Sequence, residues 1–209
     1  GKIDSFPYHV PGKVFDKEVL RTTAHSINNH IILWNPDETA DPTTTWAAIK
    51  NAIREHGNTI DVVIIDNMTT LSEGLSMSDK NEFIGVVAKE LVELAMKFDF
   101  EAIIFSHLNS PDKSARPHEN GGKVMESQFT GSRALMRYSH MMMGFERNKG
   151  AIDPNCSLIR LLKNRKYGKT GFVKTYYNEQ TGRLFQRNWD DSQYTDAKIG
   201  KLNKGVSDE

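Results

Sequence analysis

Apolar residues along the chain cluster in two ways, as short continuous runs and as helical stripes. The run "VVII" at 62–65 ends in Asp66 and predicts a buried parallel strand with a carboxylate at its carboxyl tip. "FEAIIFSH" (100–107) predicts a second such strand, ending at His107, and "HIILWN" (30–35) a shorter one. Between them lie two stretches of helical period. In "PTTTWAAIKNAIREHG" (42–57), Trp46, Ile49, Ala52 and Ile53 share one face and Gly57 suits the C-cap. In "SDKNEFIGVVAKELVELAMKF" (78–98), the N-cap falls on Ser78 or Asp79, with Glu82 near the capping-box position. Further on, 131–139 suits a short helix and 141–148, 156–165, 171–178 and 182–188 suit strands. "NEQTG" (178–182) reads as a hairpin turn between the last two. Pro7, Pro11 and Gly12 break the first 30 residues, which read as irregular.

Strand, helix, strand, helix, strand at this spacing predicts an α/β domain with a mostly parallel sheet flanked by helices and C-terminal antiparallel strands. Ligands of such sheets sit at the carboxyl ends of strands, where Asp66 and His107 both fall. The segment 108–128 is polar, rich in Gly and Pro, and long, the profile of a functional or disordered loop. After Trp189 the chain turns polar. The expected organisation is one partial domain over 1–189 and a disordered tail over 190–209.

Composition narrows this little. The 27 basic and 27 acidic residues balance, so net charge names no partner. Cys156 is the only cysteine, which rules out an internal disulfide and fits a reducing compartment. No apolar run approaches the roughly 20 residues of a membrane span, and no signal peptide is visible, so a cytoplasmic protein without membrane contact is expected.

An Asp at a strand tip holds Mg²⁺ in nucleotide-hydrolysing folds, beside a phosphate-binding loop of the form G-x-x-x-x-G-K-[ST]. Gly168-Lys169-Thr170 has the right ending, but Lys163 stands where the first Gly belongs and no long helix follows. Gly12-Lys13, Gly122-Lys123 and Gly200-Lys201 lack both the hydroxyl and the first Gly, and Gly1-Lys2 is followed by Ile3. The strand is therefore either an ordinary core strand or part of a nucleotide-binding fold whose P-loop lies upstream.

More specific text lies in the second half. "SHLNSPDKSARPHENGG", then "FTGSRALMRYSHMMMGFERN", "LLKNRKYGKTG" and "YYNEQTGRL" resemble, in order, the bacteriophage primase–helicases. These are ring-forming replicative DNA helicases related to bacterial DnaB, with a RecA-like P-loop NTPase core. The resemblance runs from about residue 58 to 187 and implies roles for matched positions. Asp66 would be the Walker B carboxylate, orienting Mg²⁺ of a bound ATP or other NTP. His107 would sense the γ-phosphate. The loop from Asn109 to Lys123 would track single-stranded DNA, with Asn109, Lys113, Arg116 and Lys123 as contacts. Cations there suit phosphates, and the loop has no aromatic for base stacking. Lys163 and Arg165 match a K-x-R that reaches a neighbour's nucleotide; Arg165 would be the arginine finger and Lys163 its assistant. Gln128 and Arg137 would couple nucleotide state to DNA grip.

The chain departs from the pattern at Thr130, where an Arg is common, and at His140, where an Asp is frequent. The Walker A segment and the catalytic Glu that follows it are not found, so this strand-and-helix part of the core is expected to be missing. The resemblance implies a part of a hexameric or heptameric helicase that unwinds duplex DNA, inactive alone and needing an upstream segment or a separate chain with the P-loop. If the protein is of phage origin, it would act in the infected host cell. The alternative from another class is a non-hydrolysing RecA-like module that binds single-stranded DNA or a helicase ring. Recombinase-type and clock-type RecA-like ATPases fit the "HLNSPDK" and "KNRKYGKTG" context less well.

Overall fold

The computed structural model describes residues 17–28, 30–34, 40–112, 114–179 and 181–197. Two β-sheets carry the architecture. In the first, β1 (Val62–Ile65) pairs in parallel with β2 (Glu101–Ile104), Val62 opposite Glu101 and Ile65 opposite Ile104. In the second, β3 (Met141–Arg147), β4 (Cys156–Asn164), β5 (Gly171–Asn178) and β6 (Arg183–Gln186) form an antiparallel meander. Five helices accompany them: α1 (Lys17–Asn28), α2 (Pro42–His56), α3 (Met68–Leu71), α4 (Met77–Phe98) and α5 (Ser132–Tyr138).

The main core is built by α4. Ile84, Val87, Ala88, Leu91 and Leu94 form its buried stripe, packed with Trp46 and Ile53 of α2, Ile65, Met68, Phe100 and Leu135. The i, i+3, i+4 spacing of those residues is what makes the segment a helix with one dry face. Its N-cap is Ser76, whose Oγ accepts from the amide of Asp79, a start earlier than Ser78 or Asp79. The α2 helix begins as expected for Pro at N1, with Asp41 capping Thr43 and Thr44. Gly57 follows α2 but stays right-handed, φ −53°. Glycine is needed there for room, because a Cβ would lie 2.6 Å from the Phe98 ring.

Three expectations are corrected. Residues 31–34 form no strand; all four are exposed, and an apolar run without a ladder partner has nothing to hold it extended. Within the supposedly irregular first 30, residues 17–28 are helical. The folded region also continues past Trp189: the Asp191–Tyr194 3₁₀ turn and the residues to Ala197 lie back on the β3–β4 connection. Trp189 is buried and donates Nε1–H to the Thr175 carbonyl at 3.0 Å, with Tyr194 stacked on it at 5.3 Å. Residues 198–209 lie outside the described residues.

Among the described residues, the parallel sheet is covered by helices on one side only. Val62, Ile64, Ile103 and Phe105 are 46–61% exposed on the other. Parallel sheets ordinarily bury both faces. The two sheets are separate, so β1, β2, β3 and β6 each keep one edge without a strand partner among the described residues.

Candidate functional site

Asp66 and His107 lie just past the carboxyl ends of adjacent parallel strands. The β1–β2 ladder runs into this region through Phe105 N–H to the Ile65 carbonyl and Met68 N–H to the Phe105 carbonyl, both 2.9 Å. Both side chains are exposed. His107 is fixed through its backbone: its N–H donates to Thr69 Oγ1 at 3.2 Å, and its carbonyl accepts from Thr130 N–H at 3.4 Å. The imidazole is thus presented from a tethered main chain. Among the described residues no three His, Cys, Asp or Glu side chains cluster as a metal site.

Thr130 is buried where the resemblance expects an Arg. Its hydroxyl lies 3.3 Å from the His107 carbonyl and 3.2 Å from Asn109 Oδ1, and its single proton serves one of them at a time. Asn109 also donates its N–H to the Gln128 carbonyl at 2.6 Å. The Gln128 side chain is engaged locally, accepting from Met125 N–H at 2.7 Å. Gln128 and Asn109 therefore form the root of the long loop.

Beyond that root the loop folds on itself and docks on β3. Gly122 is buried where a Cβ would lie 2.1 Å from the Arg116 carbonyl. Gly121 and Gly122 donate to the His118 and Pro117 carbonyls. Lys149 N–H donates to the Glu119 carbonyl at 3.0 Å, and Asn120 bridges to Asn148. Glu146, its side chain 2% exposed, receives Val124 N–H at 2.9 Å and holds Arg160 through two hydrogen bonds of 2.5 and 2.9 Å. The Glu146 hydrogen bonds push the Arg160 pKa above its ordinary value. Of the four loop residues picked from sequence, Asn109 is at the root, Arg116 pairs with Asp196 at 2.6 Å, Lys123 is exposed, and Lys113 lies outside the described residues.

Lys163 and Arg165 do lie together, at the end of β4. The Lys163 ammonium donates to the Met136 carbonyl and the Arg165 guanidinium to the Arg137 carbonyl. Both heads therefore cap the carboxyl end of α5, which satisfies carbonyls the helix leaves unpaired. Arg137 is exposed on α5 and lines a cavity of about 780 Å³ between α4 and α5 with Lys89, Asn109, Thr130 and Arg133. Neither Asp66 nor His107 lines that cavity, though Thr130, which does, bonds the His107 carbonyl. Gly168-Lys169-Thr170 occupies the β4–β5 hairpin connection, with antiparallel strands on both sides.

Sequence reasoning missed Glu146, Asn148 and Asp196. The first two were within reach: strict alternation in β3 buries Met142, Gly144 and Glu146, and the next position of that period is Asn148. A polar residue in the buried phase of a strand needs a partner. The basic run 160–174 also proves less naked than its own sequence, because Glu146 neutralises Arg160 and Asp191 pairs with Lys174 at 2.6 Å.

No family model matches the chain. A DNA helicase/primase of Enterobacteria phage T3 is 32% identical to it over 136 residues, which is 65% of this chain and 24% of that protein. A solved DnaB-like replicative helicase, studied for its interactions with primase, superposes with a TM-score of 0.63 at 17% identity, covering 86% of this chain and 44% of that one. A solved ATPase domain gives 0.60 at 17% identity, covering 85% and 62%. The sequence relationship and the shared architecture agree: over 136 residues the chain is homologous to about a quarter of a phage DNA helicase/primase, and it shares the RecA-like fold of the solved helicase and ATPase domains.

Proposed function

We propose that this chain is part of an NTP-driven replicative DNA helicase that moves along single-stranded DNA within a ring of six or seven subunits, in the infected host cell. The observation that carries this is the placement of Asp66 and His107 at neighbouring strand tips, with the DNA-loop candidate rooted directly on His107. Asp66 would hold Mg²⁺ of the nucleotide through its water shell; the ion would offset charge on the phosphates. His107 would donate a hydrogen bond toward the γ-phosphate and pass its position to the loop through Thr130 and Asn109. Arg165, aided by Lys163, would serve a neighbour's nucleotide, a role worth about 10³–10⁵ in rate where such fingers are measured. Doing so requires both heads to leave the α5 carbonyls they now cap.

The motor also needs a P-loop, which we place on an upstream segment or a separate chain. The uncovered face of the parallel sheet and its open edges on β1 and β2 support this, since exposed edges invite pairing. Steady-state ATP hydrolysis with single-stranded DNA tests the reading, on this chain alone and mixed with a P-loop-bearing fragment. Activity in the mixture only, lost in Arg165→Ala, is expected. Hydrolysis by the chain alone would overturn the dependence on a P-loop partner. Inactivity of both preparations, with DNA binding intact in Asp66→Ala, would favour the non-hydrolysing binding module.

A further inference from the structure

The segment that follows β6 does more than finish the fold. From Trp189 it crosses the antiparallel sheet and lies along the β3–β4 connection. Ile152 and Asp153 donate their N–H groups to the Thr195 and Gln193 carbonyls, both at 3.0 Å, and Ala197 N–H donates to the Gly150 carbonyl at 2.9 Å. Asn148 is fully buried beneath it. Its Nδ2 donates to the Tyr194 carbonyl at 2.8 Å and to Asp196 Oδ1 at 3.0 Å, while its Oδ1 receives Gly150 N–H. The carboxylate of Asp196 is therefore fixed in place, and it accepts from Arg116 Nη2 at 2.6 Å. Arg116 and Asp196 are 80 residues apart, and their side chains are 44% and 33% exposed.

Arg116 is a cation of the proposed DNA loop, so a carboxylate of the same chain occupies one face of a group meant for phosphate. We infer that Asp196 is an intramolecular competitor for Arg116: the C-terminal strap holds the loop's cation neutralised, and single-stranded DNA must displace it. This rests on the reading that the loop binds single-stranded DNA. Three points favour competition over support. The contact is single, through Nη2, whereas the bidentate geometry is the strong one for Arg with a carboxylate. The pair is also open to solvent, so phosphate can reach it, and an ion pair of that exposure is weak enough to be exchanged. The loop itself does not need the pair, because Glu146, Asn148 and Lys149 already anchor it to β3 and the turn after it.

The test is equilibrium binding of a fluorescein-labelled oligothymidine to the 209-residue chain across a salt series, with Asp196→Asn, Arg116→Ala and the double variant. Asparagine keeps an oxygen for Asn148 while removing the charge and exchanging the other oxygen for an NH2. The expected result is roughly two- to fivefold tighter binding in Asp196→Asn. Its log–log salt slope should steepen by about 0.7, one further phosphate contact on a single strand. Neither change should persist when Arg116 is Ala. Asp196→Ser, a second way to remove the charge, should act in the same direction. Unchanged or weaker binding in Asp196→Asn, where Arg116→Ala weakens binding, overturns the competition and leaves the loop reading intact. An equal gain in the Arg116→Ala background overturns it as well, as a general charge effect. No binding by any variant removes the loop reading and this inference together.

Discussion

Glu146→Ala removes the acceptor on which three elements converge. The wild-type carboxylate receives Arg160 Nε and Nη2 and the Val124 amide, inside a site where Glu146 is 2% and Arg160 18% exposed. Alanine leaves a guanidinium largely out of water and strands a buried N–H. Truncating one side of a buried ion pair costs about 3–5 kcal/mol, chiefly from the charge left behind. Arg160 keeps some access to water and lies over the Phe172 ring at 5.4 Å, so the low end applies, about 3 kcal/mol. For a domain of this size that is a fall of roughly 6–12 °C in melting temperature. Urea unfolding followed by far-UV circular dichroism, with a calorimetric melt beside it, gives the number. The companion is Glu146→Met with Arg160→Met, which removes both charges at similar volume and recovers most of the loss, because pair formation itself adds little over apolar packing. A single-variant loss under about 1 kcal/mol, typical of an exposed pair, refutes the argument. So does a double variant no more stable than the single.

Three further outcomes are expected. Ile84→Ala, at a fully buried position on α4, lowers the unfolding free energy by about 2–5 kcal/mol in the same assay. Gly131→Ala destabilises by more than about 1 kcal/mol, since φ is +69° and the new Cβ would lie 2.6 Å from Ile84 Cγ2; a neutral result would mean this α5 entry is soft. Alkaline pH weakens the fold: burial pushes the Cys156 thiol from 9.0 up to about 11 and the Tyr194 hydroxyl from 10.0 up to about 12. The folded chain keeps protons that the unfolded chain releases, so this stability is full below about pH 9 and falls through about pH 12. A urea midpoint that rises between those values would refute it.

The elements read best from sequence are those whose signal is local and long. The α4 stripe spans 22 residues, and β1 and β2 are apolar runs with polar ends. Its cap was harder, because Ser76, Ser78 and Asp79 are all competent acceptors and only geometry picks Ser76. Residues 31–34 misled because a strand is defined by its partner, which no single segment encodes. The docked strap was hidden for the same reason: its polar residues look like a tail until Trp189 and Tyr194 are seen stacked over β5 and β4. At the site, Asp66 and His107 were legible as strand tips. Glu146–Arg160 was not, because it depends on the register of β3 against β4. Gly144 faces Arg160 and Glu146 faces Leu158, so the pair is diagonal, and the register itself shifts at a bulge between Met142 and Met143.

The hydrogen bonds also say how the two sheets are joined. The His107 carbonyl receives Thr130, and Asn109 is held by Gln128, so the loop leaves the parallel sheet on a short, saturated root. Its far end is fixed to β3 by Glu146 and Asn120–Asn148. Between these anchors the chain is tied down at Glu119 and Gly122, and Arg116 is turned toward Asp196. A shift of His107 thus acts on a segment clamped at both ends, and the weakest link among the described contacts is the exposed Arg116–Asp196 pair. The buried Glu146 pair and the backbone bonds are costlier to break than this exposed pair. Opening that one ion pair would free the Arg116 guanidinium while the loop's anchors on His107, Gln128, Glu146 and Asn148 stay closed.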